Sequence, residues 1–425
     1  MNRGLTWPAR LISGGFALAV LLTPSALTGS ERLYLALLPA FALHALARGC
    51  GVPRAGWAGI GAGAAVIAAL ELSGEFRRGE GVCAFLFVGA VALIGGAAWR
   101  AWARLWNALL PSGARTGGWQ ILQAVAFLAL LSPYLLATGN VHRPKRANRE
   151  TPRQHGMTAE NVAVCAADGL RLRGWFIACP GSDVAVLLCH GLGANRSELL
   201  PVARFLHEEG FHVCLPDLRG HGDSGGHTVS FGRREARDVA AWAAYLAGRP
   251  EVRHILGYAF SMGGSALLHA VPDLPRIEGV VVDSTFADFG QVARAHVRTL
   301  LGALGPPLVT LAEPFFRLEV GVTTRGIRPA ARVAALSPRP LLIIHGTADG
   351  LVPHSQSRAL FQAAREPKAL WLVEGAGHVE TFACAGAEYR ARVTRFLRGC
   401  VRQGGDRGTR AGTAMLQGHP IAPPL

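Results

Sequence analysis

The sequence predicts an α/β catalytic domain on a mostly parallel sheet, preceded by an α-helical transmembrane region. Three observations predict it. Stretches free of Asp, Glu, Lys and Arg crowd into residues 1–141. From about residue 159, short apolar runs alternate with amphipathic stretches, as strands alternate with helices in α/β proteins. One of those runs ends directly on Ser261, which opens a helix-compatible segment.

The membrane part comes first. At 425 residues the chain exceeds one ordinary domain. It is 50% hydrophobic and only 17% charged, which is apolar for a soluble enzyme. The uncharged stretches are residues 11–30, 33–47, 55–70, 81–99 and 116–141. A spanning helix needs about 20 mostly apolar residues. The first, fourth and fifth stretches meet that length. The second and third are short, and Pro39 interrupts the second. About five spans are expected, with four or three left open. The Gly- and Ala-rich run at 55–70 suits close helix packing. Trp99, Trp102, Trp106 and Trp119 fall near span ends, where indoles favour headgroup depth. Arginines flank the spans on both sides, so the positive-inside rule leaves the side of the catalytic domain open. The expectation is an integral protein of a bacterial cytoplasmic membrane, with the lipid bilayer as a partner.

The net charge of +15 is almost entirely arginine; Lys145 and Lys368 are the only lysines. No nucleic-acid motif accompanies it, so the charge is assigned to genome composition and to lipid contact. The eight cysteines include no CxxC and no metal-like spacing. No metal and no cofactor is expected. Cys189 and Cys214 lie in apolar runs and read as small buried hydrophobes.

Residues 142–158 read as a basic linker and 159–400 as the catalytic domain. Strands at 161–165 and 170–177 flank Asp168-Gly169, a hairpin turn signal. Further strands are expected at 184–189, 211–216, 254–260, 279–283, 341–345 and 370–373. Helices are expected at 198–209, 233–247, 262–270 and 381–397. The apolar insertion at 284–339, with Leu300-Leu301 and Phe315-Phe316, predicts a small helical cap. Residues 401–425, rich in Gly, Arg and Pro, read as a disordered tail.

The chemistry sits at strand ends. A serine on a sharp strand-to-helix turn needs small residues two before and two after, because the turn crowds the backbones. Ala259 and Gly263 meet that need, with Ala259 standing where Gly is usual. An acid and a histidine follow in the order such sites use. Asp349 lies in the loop after the 341–345 strand, and His378 in the loop after the 370–373 strand. Open α/β sheets gather their sites at these carboxyl ends. The predicted triad is Ser261 as nucleophile, His378 as base and Asp349 as acid, with Asp283 the alternative acid. The predicted oxyanion donors are the backbone N–H groups of Met262 and Leu192, with Gly193 as second choice for the latter. His190 and His345, each before a glycine at a strand end, read as structural loop residues. Arg219, His221 and Asp223 read as organisers of their own loop.

With these residues in view, the chain from about 159 to 398 resembles the α/β-hydrolase superfamily, within it the serine-aminopeptidase-like and Bem46-like branch. The resemblance rests on the His190-Gly191 loop, Pro216-Asp217-Leu218-Arg219-Gly220-His221-Gly222-Asp223-Ser224, the serine turn, Val282-Asp283-Ser284, and the Asp349 and His378 loops. It implies an eight-stranded, mostly parallel sheet and hydrolysis through an acyl-enzyme, and it says nothing of residues 1–140. The expected function is a membrane-anchored serine hydrolase that cleaves a carboxylic ester or thioester of an acyl or lipid-like small molecule. The alternatives are an aminopeptidase-like peptidase, an acyltransferase and a non-catalytic membrane scaffold.

Overall fold

In the computed structural model, residues 131–143 and 145–405 are described, together with Arg104 and Ala126. The expected spans lie outside the described residues, except that residues 131–141, at the end of the fifth stretch, are helical. The chain divides into two compact units. One takes the residues up to Arg146 with Thr310–Phe315; the other takes Ala147–Val309 and Phe316–Leu425.

Asp168-Gly169 turns the chain between β1 (Glu160–Cys165) and β2 (Arg171–Ile177), as the hairpin signal implies. Gly169 supplies the positive φ, 78°, that the turn demands. β1 and β2 pair antiparallel, and β2 pairs antiparallel with β4 (His212–Pro216). The rest of the eight-stranded sheet is parallel: β3 (Val184–Cys189), β5 (His254–Phe260), β6 (Ile277–Asp283), β7 (Leu341–Gly346) and β8 (Lys368–Val373). The strand order is β1-β2-β4-β3-β5-β6-β7-β8.

Both faces of the parallel strands are covered, which is why they read as continuous apolar runs. Along β5, Ile255 and Ala259 join one core cluster, while Leu256, Tyr258 and Phe260 join the other. The first cluster also takes Trp242 and Leu246 of α2 (Glu235–Ala247) and Ala266 and Leu267 of α3 (Met262–Ala270). The second takes Phe205 and Leu206 of α1 (Leu200–Glu208) and Tyr389, Val393 and Leu397 of the last helix. A substitution of alanine for a buried leucine in either cluster would cost about 2–5 kcal/mol.

Several boundaries differ from the sequence reading for local reasons. α1 begins at Leu200, after a 3₁₀ turn over Arg196–Leu199 whose first orphan N–H, that of Ser197, donates to the Asn195 side chain at 2.9 Å. Pro201 sits in the first turn of α1, where no N–H is needed. The expected cap contains α4 (Phe289–Leu301) and α5 (Gly305–Val320), followed by short 3₁₀ turns. α4 is capped by Asp288, whose carboxylate accepts from Gln291 N–H at 3.1 Å. α6 (Ser355–Ala363) precedes β8. The last helix, α7 (Thr381–Gly405), is broken at Gly386, where φ is 49°. It runs past Cys400, where the tail was expected to begin; residues 406–425 lie outside the described residues. Residues 147–158 belong to the catalytic unit and do not form a free linker. Asn195 donates to Ala147 C=O at 2.9 Å, and Arg149 N–H donates to Ser197 Oγ at 3.2 Å.

β3 is the switch point of the sheet. The chain leaves it first for β4 on one side and later for β5 on the other. The crevice at the carboxyl ends of β3 and β5 is where such sheets place their sites.

Candidate active site

Ser261 stands at the end of β5 with φ 49° and ψ −117°, a strained conformation for a residue with a Cβ. The surrounding structure holds it there. Its N–H donates to Asp283 C=O at 2.8 Å, and its C=O accepts from Ser265 N–H at 3.2 Å and from the Thr285 hydroxyl at 3.2 Å. The need for a small residue at 263 is visible. A Cβ on Gly263 would lie 2.4 Å from His190 O and 2.9 Å from Cys189 O. The helix therefore packs directly on the backbone of the β3 loop.

His378 Nε2 lies 3.0 Å from Ser261 Oγ, and His378 Nδ1 lies 2.7 Å from Asp349 Oδ2. A carboxylate only accepts, so Nδ1 carries the hydrogen and Nε2 is bare toward the serine hydroxyl. Ser261 is 7% exposed, and the His378 side chain is 19% exposed. Asp349 Oδ1 accepts from the N–H groups of Leu351 (2.9 Å) and Val352 (2.8 Å). Burial pushes the Asp349 carboxyl up. Hydrogen bonds from His345 and His378, the attraction of His378 and the Val352 N–H outweigh it and hold the group below the usual carboxylate range.

The acid and histidine loops are tied to each other. Ala348 N–H donates to Ala376 C=O at 3.0 Å, Thr347 N–H to Val373 C=O at 2.9 Å, and Gly375 N–H to the Thr347 hydroxyl at 2.9 Å. Gly346 allows this approach, since a Cβ there would lie 2.1 Å from Ala376 O.

Asp283, the alternative acid, serves a different end. It is wholly buried and accepts from the hydroxyls of Ser284 (2.9 Å), Tyr389 (2.6 Å) and Thr381. Burial pushes its carboxyl up from the ordinary value, against those hydrogen bonds. Its link to the histidine is indirect. Ser284 Oγ accepts from Val379 N–H at 3.1 Å, and Val379, next to His378, is held at φ 56°. A β-branched residue there is strained. The Asp283-Ser284 pair thus frames both the serine turn and the histidine loop.

Two histidines brace the β3 loop. His190 Nε2 accepts from Leu218 N–H at 3.0 Å, which leaves Nδ1–H to donate to Gly191 C=O at 2.7 Å. Burial lowers the His190 pKa, in keeping with a neutral ring. His221 Nε2 accepts from Gly193 N–H at 3.1 Å, and its Nδ1 pairs with Arg219 C=O at 2.8 Å. Gly193 has therefore committed its N–H, while that of Leu192 finds no acceptor among the described residues. Met262 opens α3, so its N–H has no intrahelical partner.

The 217–224 loop is fixed by the ion pairs of two buried arginines, Arg196 and Arg219. Asp217 accepts from Arg196 N–H (2.8 Å) and guanidinium (2.9 Å), and the same guanidinium reaches Asp223 at 2.7 Å. Arg219 pairs with Asp238 at 2.6 Å and Asp168 at 2.7 Å. Of the residues singled out in the sequence, His345 differs most from expectation. It is completely buried, with Nε2 3.1 Å from Asp349 Oδ2, in contact with the acid itself.

A serine, histidine and aspartate at the strand ends of a mostly parallel eight-stranded sheet define the class of α/β hydrolases. Residues 186–392 match the model of the alpha/beta hydrolase family. Rv2307c of Mycobacterium tuberculosis is 30% identical over 241 residues, covering 56% of this chain and 78% of that protein. YqkD of Bacillus subtilis is 28% identical over 235 residues, covering 55% and 77%. Among solved structures, the Pyrococcus furiosus esterase Pf2001 superposes with a TM-score of 0.53 at 28% identity, covering 61% of this chain and 97% of the esterase. The chain belongs to the alpha/beta hydrolase family.

Proposed function

We propose that this protein is a membrane-anchored serine hydrolase that cleaves carboxylic esters or thioesters of acyl or lipid-like molecules. The observation that carries the reading is the Ser261–His378–Asp349 chain of hydrogen bonds, at 3.0 and 2.7 Å, with the imidazole in the tautomer a general base needs.

His378 takes the Ser261 proton as Oγ bonds to the acyl carbon. Asp349 orients the ring and stabilises the imidazolium that forms. The N–H groups of Leu192 and Met262 receive the developing oxyanion; each such donor is typically worth about 3–4 kcal/mol in the transition state. The acyl carbon–oxygen or carbon–sulfur bond breaks, and His378 returns the proton to the leaving group. Water, deprotonated by the same imidazole, then releases the carboxylic acid and regenerates Ser261.

The likeness to an esterase supports the ester side of this reading. The apolar cap supports an acyl or lipid-like substrate, with Leu300, Leu301, Leu304 and Leu318 exposed on α4, α5 and the turn between them. The uncharged N-terminal stretches support the bilayer as partner. Turnover of a p-nitrophenyl ester series against aminoacyl amides tests the substrate class. The reading expects ester hydrolysis that improves with acyl length. Faster turnover of aminoacyl amides would replace it with a peptidase.

A further inference from the structure

A second histidine meets the acid of the site. His345, near the end of β7, is completely buried. Its Nε2 lies 2.8 Å from Val352 O and 3.1 Å from Asp349 Oδ2. A carbonyl oxygen only accepts, so Nε2 bears the hydrogen and shares it between the two oxygens. Nδ1 is then bare, and it accepts from the Ser357 hydroxyl on α6. The hydroxyl can serve either ring nitrogen state, so it is Val352 O that sets the hydrogen on Nε2. Asp349 Oδ2 is the same oxygen that receives His378 Nδ1–H. Its Oδ1 is occupied by Leu351 and Val352 N–H. The carboxylate therefore has a complete set of donors, and one oxygen is shared by two imidazoles.

We propose that His345 is a positioning residue for the hydrolysis: its Nε2–H fixes Asp349 Oδ2 toward His378 and tempers the negative charge that His378 meets. The role rests on the serine-hydrolase reading above. Removing the donor concentrates charge on Asp349 and moves the acidic limb of the pH–rate profile upward. The charged or titratable groups facing His345 are Asp349 on the loop after its own strand and Asp283 at the end of β6, with His378 beyond Asp349. All three are kept in the test.

A purely structural histidine would hold the loop through Val352 and Ser357 alone. Two substitutions separate the roles. His345→Gln keeps an N–H near the Nε2 position, and His345→Met keeps bulk without a donor. Ser357→Ala, which removes only the donor to Nδ1, serves if the methionine variant fails to fold. The measurement is the pH dependence of kcat and kcat/KM for p-nitrophenyl ester hydrolysis by the full chain in membranes, after fluorophosphonate labelling of the wild type.

The proposal expects His345→Met to lose about 10- to 100-fold in kcat, with KM within about twofold of wild type. It expects the acidic limb to move up by about half to one pH unit. His345→Gln should keep most of the rate and the wild-type limb, and Ser357→Ala should move the limb in the same direction as Met, by less. A labelled, active wild type whose limb stays in place in both His345→Met and Ser357→Ala would overturn the role of His345 alone, as would a glutamine variant as impaired as methionine. A wild type that neither labels nor hydrolyses would overturn the serine-hydrolase reading and this role with it.

Discussion

The backbone N–H of Gly193 donates to Nε2 of His221 across 3.1 Å, which ties the β3 loop in place, while the N–H of its neighbour Leu192 finds no acceptor among the described residues. His221 is itself fixed by Arg219 C=O at 2.8 Å and by ring contact with His190 at 4.8 Å. Replacing His221 with leucine should loosen one oxyanion donor. Misplacing a catalytic group by about 1 Å can cost about 100-fold. The expected outcome is a kcat lowered about 10- to 100-fold with KM little changed, read by steady-state ester kinetics. A rise in KM at constant kcat would place His221 in substrate binding.

Gly263 lies where α3 touches the β3 loop. A methyl group there would press on His190 O at 2.4 Å and Cys189 O at 2.9 Å, both backbone atoms that cannot swing aside. Gly263→Ala should therefore destabilise the catalytic unit by about 1–3 kcal/mol or more, the usual cost of overpacking. Gly350→Ala is the control, because a Cβ there meets nothing within 4 Å. Thermal denaturation should show a lowered Tm for the first and an unchanged Tm for the second. Equal Tm values would mean that the turn has room the distances deny.

Asp349→Asn keeps the size of the acid but can hold the imidazole in the wrong tautomer. Where an acid of this kind orients a base, the loss in kcat is about 10⁴-fold. The variant should fold, bind substrate with a similar KM and turn over at least about a thousandfold more slowly. Asp283→Asn should change kcat far less, since among the described residues Asp283 is linked to the histidine loop through Ser284 and Val379 and makes no hydrogen bond to His378. Reversal of that order would make Asp283 the acid.

Asp168 carries a pH signature of stability. Its hydrogen bonds with Arg219 outweigh partial burial and lower its pKa to about 2. An unfolded aspartate titrates near about 3.9. A depressed folded value means that the stabilisation is present above pH ~4 and is lost as pH falls toward about 2. Urea denaturation of wild type and Asp168→Asn should differ most at pH 6, with the gap closing between pH 4 and 2. A gap independent of pH would assign the effect of the substitution to packing.

Much of the site was legible because it sits where chain order and hydrophobic runs coincide. The runs at 254–260 and 184–189 are buried on both faces, so their ends are sharp in the sequence, and Ser261 follows the first directly. The order of Ser261, Asp349 and His378 needed only the loops after two further runs. The bracing side chains were harder to read. His190, His221 and His345 each satisfy two or more partners, and those partners are set by how loops fold over one another. Contact of His345 with Asp349 depends on the turn over 346–352, and that of His221 with Gly193 on a crossing of two loops 28 residues apart. Spacing says nothing about either. The adhesion of residues 147–158 to the catalytic unit was hidden for the same reason, because charge made the segment look like a linker while Asn195 and Ser197 supply its partners.

The central claim is that Ser261 is a nucleophile activated by His378. The most direct test is fluorophosphonate labelling of membranes holding the full chain, with the modified residue located by mass spectrometry in wild type, Ser261→Ala and His378→Ala. The account expects a single adduct on Ser261 in the wild type, none in Ser261→Ala and strongly slowed labelling in His378→Ala. A folded wild type that stays unlabelled, or an adduct that persists in Ser261→Ala, would contradict it.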